Sequence, residues 1–424
     1  MKIYLDTIGC RLNQAEIEDM ARRFRAAGHE IVASAEVAEL AVVNTCTVTV
    51  QAAADSRGVI RRIARAGVGQ VVAAGCWATL EPEQAAGLPG VTQVVANDRK
   101  DRLAQEVLAL PPGDFDLKPL DREPLPGIRQ RTRAFIKVQD GCDNRCTFCV
   151  TTLARGAARS RTIREVIADV QSALRGGTQE VVLTGVHLGS WGHEWESHLR
   201  ELLLALLRDT EVPRLRLSSL EPWDLDTEFF ALWEDPRLCQ HLHLPLQAGC
   251  DTTLRRMARK TTTESFRELV AAARRRIPEV AITTDIIAGF PGETEQEFAA
   301  SLDFVREMAF AGGHAFSYSP RPGTAAADMD GQVDPRVRKA RTAAYRQEFA
   351  QAAARYRRRF LGRELPVLWE ALTRLDDQGW QVEGLTGNYL RVRAVAEQPR
   401  WNRIDRVRLT CQSGEGLRGE ILVP

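Results

Sequence analysis

Over residues 1–100 short apolar runs alternate with amphipathic stretches. Runs at 3–8, 40–46, 71–76 and 94–96 read as strands, and stretches at 15–27 and 52–66 read as helices. Alternation of this kind predicts a doubly wound α/β domain, a parallel sheet with helices on both faces. It is expected to occupy residues 1–109. Residues 110–127 carry Pro111, Pro112, Pro119, Pro124 and Pro126, a density that forbids helix and interrupts sheet pairing, so this stretch reads as a linker. The alternation then resumes, with strands expected near 134–139, 180–186, 214–218, 240–245, 281–288 and 313–319 and helices such as 162–175 and 294–308. Six βα units alone fit either an incomplete barrel or a second doubly wound sheet. Residues 336–360 read as a basic closing helix. From about 361 to 424 the pattern changes to short β-rich runs at 365–370, 379–384, 389–395 and 406–410, separated by turn residues, which predicts a small antiparallel β-barrel. Gly414, Gly416 and Gly419 spell GxGxxG, but the chain ends too soon for the helix a dinucleotide site needs, so they read as turn glycines.

Length and composition add bounds. The 424 residues exceed one ordinary core, and 44% apolar with 27% charged residues is an ordinary globular balance. The N-terminus meets Asp6, Arg11, Glu16 and Glu18 within its first turns and lacks the apolar core of a signal peptide. No apolar run reaches the roughly 18 residues of a membrane span. A cytoplasmic protein without a membrane partner is expected, in which cysteines serve metals or catalysis more often than disulfides. The net charge of +1 conceals two basic segments. Residues 128–164 hold nine Arg/Lys against two acidic residues, and residues 331–363 hold ten against two. Such clusters suit a phosphate-bearing partner, although a solvated helix face gives the same count.

The chemistry lies in the cysteines. Three of the N-terminal strands end in one: Cys10 in TIGC, Cys46 in NTC and Cys76 in AGC. Each alone is an ordinary buried thiol, but ligands of open parallel sheets sit at the carboxyl ends of strands, where these three converge. Cys142, Cys146 and Cys149 form CxxxCxxC inside DGCDNRCTFC, directly after the first strand of the second segment. Three thiolates at this spacing can hold three irons of a cubane and leave the fourth open to the amino and carboxylate groups of S-adenosylmethionine. The alternative, a structural zinc in an RNA-binding protein, needs a fourth ligand, and no Cys or His follows Cys149 before His187. Cys239, Cys250 and Cys411 have no motif around them and read as core or surface thiols.

The CxxxCxxC motif, with Phe148 between its last two cysteines, resembles the radical S-adenosylmethionine superfamily. The resemblance extends to TIGCRLNQAE, VVNTCTVT, AAGCWA, RTRAFIKVQDGCDNRCTFC, ARG, RLSSLEP, HLHLPLQAG, TTDIIAGFPGE and FSYSPRPGT, which together are similar to the methylthiotransferases along nearly the whole chain. It implies an open (βα)6 partial barrel over residues 128–360 and a TRAM-like RNA-binding barrel over 361–424. It implies two 4Fe-4S clusters: one on Cys142, Cys146 and Cys149 that generates a radical from S-adenosylmethionine, and one on Cys10, Cys46 and Cys76 that supplies sulfur. One S-adenosylmethionine would methylate that sulfur, and a second would give the radical that removes hydrogen from an unreactive carbon, so that C–SCH3 replaces C–H. Such a carbon has no acidic proton, so no conventional catalytic base is expected. An electron donor and a sulfur donor are implied as partners beside transfer RNA.

Within the family, NTCTVT at 44–49 and TGVHLGSWG at 184–192 look like the group acting on threonylcarbamoyladenosine at tRNA position 37. The alternatives are the isopentenyladenosine group and the group acting on a ribosomal-protein aspartate. A threonylcarbamoyl carboxylate wants Arg or His, and Arg155, Arg159 and His187 are the candidates. The resemblance also places Phe148, Thr184, Gly185, Glu221, Gln247 and Ile287 at the S-adenosylmethionine site, each with barrel packing as the plainer reading. Arg391 and Arg393, near Tyr389, are candidate RNA contacts. Thr151, Thr152 and Leu153 depart from an Ile/Val-Pro-Tyr pattern, Trp77 stands where Tyr is usual, Ala248 and Cys250 where Ser is common, and Asp285 at the first glycine of an adenine motif.

Overall fold

The computed structural model describes residues 1–110, 121–126, 132–377 and 379–422. It divides into one unit of residues 1–144, 150–178 and 183–187 and another of residues 145–149, 179–182 and 188–424. Most of the proline-rich stretch expected as a linker, and the expected start of the central segment at residue 128, lie outside the described residues.

In the first unit, β1 (Lys2–Thr7), α1 (Arg11–Ala26), β2 (Glu30–Val32), β3 (Leu40–Thr45), α2 (Val50–Arg65), β4 (Gln70–Gly75), α3 (Cys76–Leu80), α4 (Pro82–Ala86), β5 (Val91–Val95) and α5 (Leu103–Val107) form an α/β layer. Its five strands are parallel in the order β2-β1-β3-β4-β5. β3 is buried at all six positions, as a central strand covered on both faces must be. On one face Ile17, Met20 and Phe24 of α1 pack on Ile3, Val42 and Val72. On the other, Ile60 and Ile63 of α2 pack with Val43, Val71 and Trp77. β2 has no counterpart in the sequence reading, because three residues are too short to show alternation.

The unit continues through β6 (Arg133–Lys137), β7 (Gln139–Asp140), α6 (Thr151–Arg155), β8 (Arg159–Ser160) and α7 (Ile163–Arg175). A capping box of Thr162 and Glu165 starts α7. β7 and β8 pair antiparallel, Asp140 opposite Arg159. β9 (Glu180–Thr184) has residues in both units.

In the second unit come α8 (Leu199–Asp209), β10 (Arg214–Leu217), β11 (His241–His243), α9 (Asp251–Arg256), α10 (Thr263–Arg276), β12 (Ala281–Ala288), α11 (Glu295–Met308), β13 (Gly312–Ser317) and α12 (Pro335–Arg358). β11, β12 and β13 are parallel neighbours, and isolated parallel bridges Leu215–Leu238 and Ser219–His243 lead toward β10. The six expected strands of the central segment are thus β6, β9, β10, β11, β12 and β13. No helix among the described residues is long and apolar enough to cross a membrane.

The C-terminal strands β14 (Glu364–Asp376), β15 (Gly379–Thr386), β16 (Arg391–Ala396), β17 (Ile404–Ser413) and β18 (Gly416–Ile421) close a barrel in the order β14-β15-β16-β18-β17. All pairs are antiparallel except β16–β18. Val367, Trp369, Val382, Val392, Val407, Leu409 and Leu417 fill it. Two of the three expected turn glycines are strand residues. Only Gly414 sits in the turn, with φ 57°, whereas Gly416 and Gly419 belong to β18. A Cβ on Gly419 would stand 2.3 Å from Val407 Cγ1, so the glycine serves close packing of β18 on β17.

Candidate active site

Sheet order brings the first three cysteines together. Cys10, Cys46 and Cys76 each follow one of three adjacent strands, β1, β3 and β4, at the same sheet edge. Cys10 is exposed, while Cys46 and Cys76 are buried. Gly9 makes the approach possible: its φ is 104°, and a Cβ there would lie 2.6 Å from both Cβ and Sγ of Cys46. Asn13, fully buried in α1, ties two of the loops by donating from Nδ2 to Ile8 O at 2.7 Å and to Thr45 O at 3.0 Å. Its Oδ1 faces Cys10 Sγ at 3.8 Å. Asn97 donates toward Cys76 Sγ at 3.6 Å and to Ala154 O at 2.7 Å. Burial pushes the Cys46 thiol up to about 11, and the nearby Cys10 and Cys76 push in the same direction. Three thiols gathered at one sheet edge, two of them buried, would fit an iron–sulfur ligand set. Among the described residues no three Cys, His, Asp or Glu side chains form a compact single-ion site.

Beneath this rim lies a buried polar network. Arg155 is engaged with Glu16, Asp140 and Asn13, and Lys100 donates to Glu16 Oε2 at 2.7 Å and to Asn44 Oδ1 at 3.2 Å. The sequence offers Arg155 as a partner for a substrate carboxylate, and the structure places its guanidinium on protein carboxylates instead. The arginine and lysine hold the Glu16 carboxyl well below the usual range against the opposing effect of burial.

The second cysteine set begins on the same unit. Gly141, with φ 70°, passes so close to Ala157 O that any Cβ would clash, and Cys142 N donates to Gly156 O at 3.0 Å. Gln139 pins the entry to this loop by donating from Nε2 to Asp140 O and Gly141 O while its Oε1 accepts from His187 N at 2.8 Å. Thr184 O accepts from Val138 N, and a Cβ on Gly185 would meet Gln139 Oε1 at 2.9 Å. His187 is buried with Nδ1 3.2 Å from Asn144 Nδ2. Arg159 is exposed on β8.

In the second unit, Cys146 and Cys149 are joined through Cys149 N to Cys146 O at 3.0 Å. Thr147 anchors them, its N donating to Met257 O and its hydroxyl to Arg256 O. Phe148 stands edge-on to Phe290 with centroids 6.5 Å apart. Sequence reasoning missed Arg259. Its guanidinium lies 3.8 Å from Cys146 Sγ, donates to Glu221 Oε2 at 2.6 Å and Pro245 O at 2.5 Å, and sits 4.4 Å over the Trp223 ring. Burial raises the Cys146 thiol and Arg259 opposes that rise. Gln247 and Ile287 do meet: Gln247, in a left-handed conformation with φ 74°, accepts at its O from Ile287 N at 2.9 Å. Ser218 Oγ and Asp285 Oδ1 are buried without a hydrogen-bond partner among the described residues. Orphaned polar atoms of this kind fit a polar ligand such as S-adenosylmethionine. Arg391 and Arg393 lie away from all these groups in sequence, on the outer face of β16.

The chain's similarities bear on the same residues. The model of the Radical SAM superfamily matches residues 136–305, which include all of CxxxCxxC, and with that superfamily come a 4Fe-4S cluster and S-adenosylmethionine. The model of Uncharacterized protein family UPF0004 matches residues 2–96, which include Cys10, Cys46 and Cys76. The threonylcarbamoyladenosine tRNA methylthiotransferase MtaB of Bacillus subtilis is 34% identical over 407 residues, covering 91% of this chain and 88% of its own. The tRNA-2-methylthio-N(6)-dimethylallyladenosine synthase of Cereibacter sphaeroides (strain ATCC 17029 / ATH 2.4.9) is 33% identical over 441 residues, covering 99% and 98%. The structure of the radical S-adenosylmethionine methyltransferase TsrM from Kitasatospora setae shares the fold, with a TM-score of 0.60 at 16% identity over 77% of this chain and 75% of its own. Two cysteine sets, each on its own matched family segment, and full-length relatives of one enzyme type make this chain a member of the radical S-adenosylmethionine methylthiotransferase family.

Proposed function

We propose that the chain converts N6-threonylcarbamoyladenosine at tRNA position 37 to its 2-methylthio derivative. The observation that carries this reading is the similarity to MtaB along 91% of the chain, joined to the NTCTVT and TGVHLGSWG segments. Cys142, Cys146 and Cys149 would hold the cluster that binds S-adenosylmethionine, and Cys10, Cys46 and Cys76 a second cluster. When bound, these groups supply the radical and the sulfur. The chain's residues do the rest: Arg259 and Glu221 fix the surroundings of Cys146, the orphaned Ser218 Oγ and Asp285 Oδ1 offer polar contacts to the cofactor, and Asn13 and Gly9 hold the strand ends together. With Arg155 engaged inside the protein, Arg159 and His187 remain to meet the substrate carboxylate, Arg159 being the exposed one. Arg391 and Arg393 on the C-terminal barrel would contact the RNA backbone. The second reading, an isopentenyladenosine substrate, is favoured by the relative from Cereibacter sphaeroides.

Purified, reduced enzyme with both clusters is given the same tRNA with and without threonylcarbamoylation, and an isopentenylated tRNA, and methylthiolated nucleosides are measured by mass spectrometry. The carboxylate that Arg159 or His187 would meet is absent from the isopentenylated tRNA, so the threonylcarbamoylated tRNA is expected to be preferred. Preferential turnover of the isopentenylated tRNA overturns the substrate assignment and leaves the chemistry standing. Turnover of no tRNA points to the ribosomal-protein reaction.

A further inference from the structure

One buried guanidinium touches the segments that carry Cys10 and Cys142. Arg155 ends α6, and its side chain is 2% exposed. Its Nη1 donates to Glu16 Oε1 at 2.8 Å and to Asp140 Oδ1 at 2.9 Å, and its Nη2 donates to Asn13 Oδ1 at 2.7 Å and to Glu16 Oε2 at 3.3 Å. Asn13 and Glu16 lie on α1, the helix that Cys10 begins, and Asn13 Oδ1 is the atom that faces Cys10 Sγ. Asp140 lies two residues before Cys142, and its Oδ1 also accepts from Gly141 N at 2.8 Å. Removing the guanidinium would separate the fixing of these two segments. It would also take one counter-charge from Glu16 and Asp140, leaving Lys100 and Lys137, next to Cys10 and Cys76, whose thiols interact electrostatically with this arginine.

We propose that Arg155 is a positioning residue that fixes the Cys10 segment against the Cys142 segment and sets the charge around an N-terminal cluster. The inference rests on reading Cys10, Cys46 and Cys76 as cluster ligands. Lysine cannot replace the arginine, because a single ammonium does not reproduce a fork that engages Glu16, Asp140 and Asn13 at once.

The first arm uses the full chain carrying Cys142→Ala, Cys146→Ala and Cys149→Ala, so that only the N-terminal cluster can assemble. Iron and sulfide content, the electron paramagnetic resonance signal and the midpoint potential are compared for Arg155, Arg155→Met and the charge-balanced pair Glu16→Gln/Arg155→Met. Arg155→Met is expected to shift the potential to more negative values, because two carboxylates then face the cluster with less compensation, and the balanced pair is expected to restore it. The second arm uses both cysteine sets and measures methylthiolated product per 5′-deoxyadenosine. This ratio is expected to fall about 10- to 100-fold in Arg155→Lys and in the balanced pair, the usual cost of removing an outer-shell partner. If Arg155→Met does not fold, the balanced pair carries the comparison alone. An unchanged ratio in the balanced pair, or an unchanged potential and signal in a folded Arg155→Met, overturns the proposal. Absence of iron and sulfide in the first-arm protein that retains Arg155 would instead overturn the cluster assignment beneath it.

Discussion

Gly9 shows how a residue without chemistry of its own decides whether chemistry is possible beside it. Its φ of 104° belongs to the region that favours glycine, and a Cβ would stand 2.6 Å from Cys46 Sγ. Alanine here must push the β3 end away from the β1 end, and those ends carry two of three proposed ligands. Gly9→Ala is therefore expected to leave a folded chain that still forms 5′-deoxyadenosine but has lost its N-terminal cluster, with iron falling from about eight to about four per chain. Retention of all the iron with unimpaired methylthiolation would show that the strand ends tolerate the displacement. The cysteines are legible in the sequence because spacing and strand-end position are sequence properties. Arg259 is not: Cys146 and its arginine are 113 residues apart, and only the folded chain brings the guanidinium to 3.8 Å from the sulfur. Arg155 is legible as a candidate for a carboxylate partner, but which carboxylate is not. The carboxylate it binds comes from Glu16, 139 residues earlier, whose place in an amphipathic stretch gives no sign of burial.

Among the elements, the C-terminal barrel ties function to alternation along strands. Arg391 and Arg393 alternate with buried Val392 and Ala394 on β16, so both project outward. The parallel register sets Arg393 beside Arg418 of β18, also exposed. Like charges directly opposite one another are unfavourable unless a partner neutralises them, and Glu383 accepts from Arg393 Nε at 2.9 Å. Replacing Arg391, Arg393 and Arg418 by alanine is expected to weaken tRNA binding and to flatten the dependence of log affinity on log salt by about two to three, on the scale of one unit or slightly less for each phosphate no longer neutralised. Uncoupled S-adenosylmethionine cleavage should be unaffected. An identical slope over a salt series would remove this face from the RNA-binding surface. Point substitution suits the test better than deletion, because Tyr356, Phe360 and Ala281 share the barrel's core and would be exposed without it. At this scale the sequence pattern locates each of the six central strands, since parallel strands are near-continuous apolar runs bounded by turns. It misses β18, because Gly416 and Gly419 read as punctuation when they are there to let strands approach.

Across the whole molecule, the two cysteine sets differ in how the chain presents them. One set lies in a single loop of eight residues running from Cys142 to Cys149, whereas the other is spread over three strand ends of one parallel sheet. A loop can lose its ligands without disturbing the sheet, whose core of Ile17, Phe24, Val42 and Val72 does not involve them. The converse holds for Cys46, which follows β3 and has its backbone N–H held by Ser56 Oγ at 3.0 Å. The two functions should therefore be separable by single substitutions. Cys146→Ala is expected to abolish 5′-deoxyadenosine formation while retaining about half of the iron and sulfide, and Cys46→Ala to retain S-adenosylmethionine cleavage while losing methylthiolation. Anaerobic purification, iron and sulfide analysis and quantification of 5′-deoxyadenosine and methylthiolated nucleosides measure all four outcomes. If Cys46→Ala still methylthiolated tRNA, the sulfur would have to come from elsewhere. The convergence of Cys10, Cys46 and Cys76 at one sheet edge would then be structural.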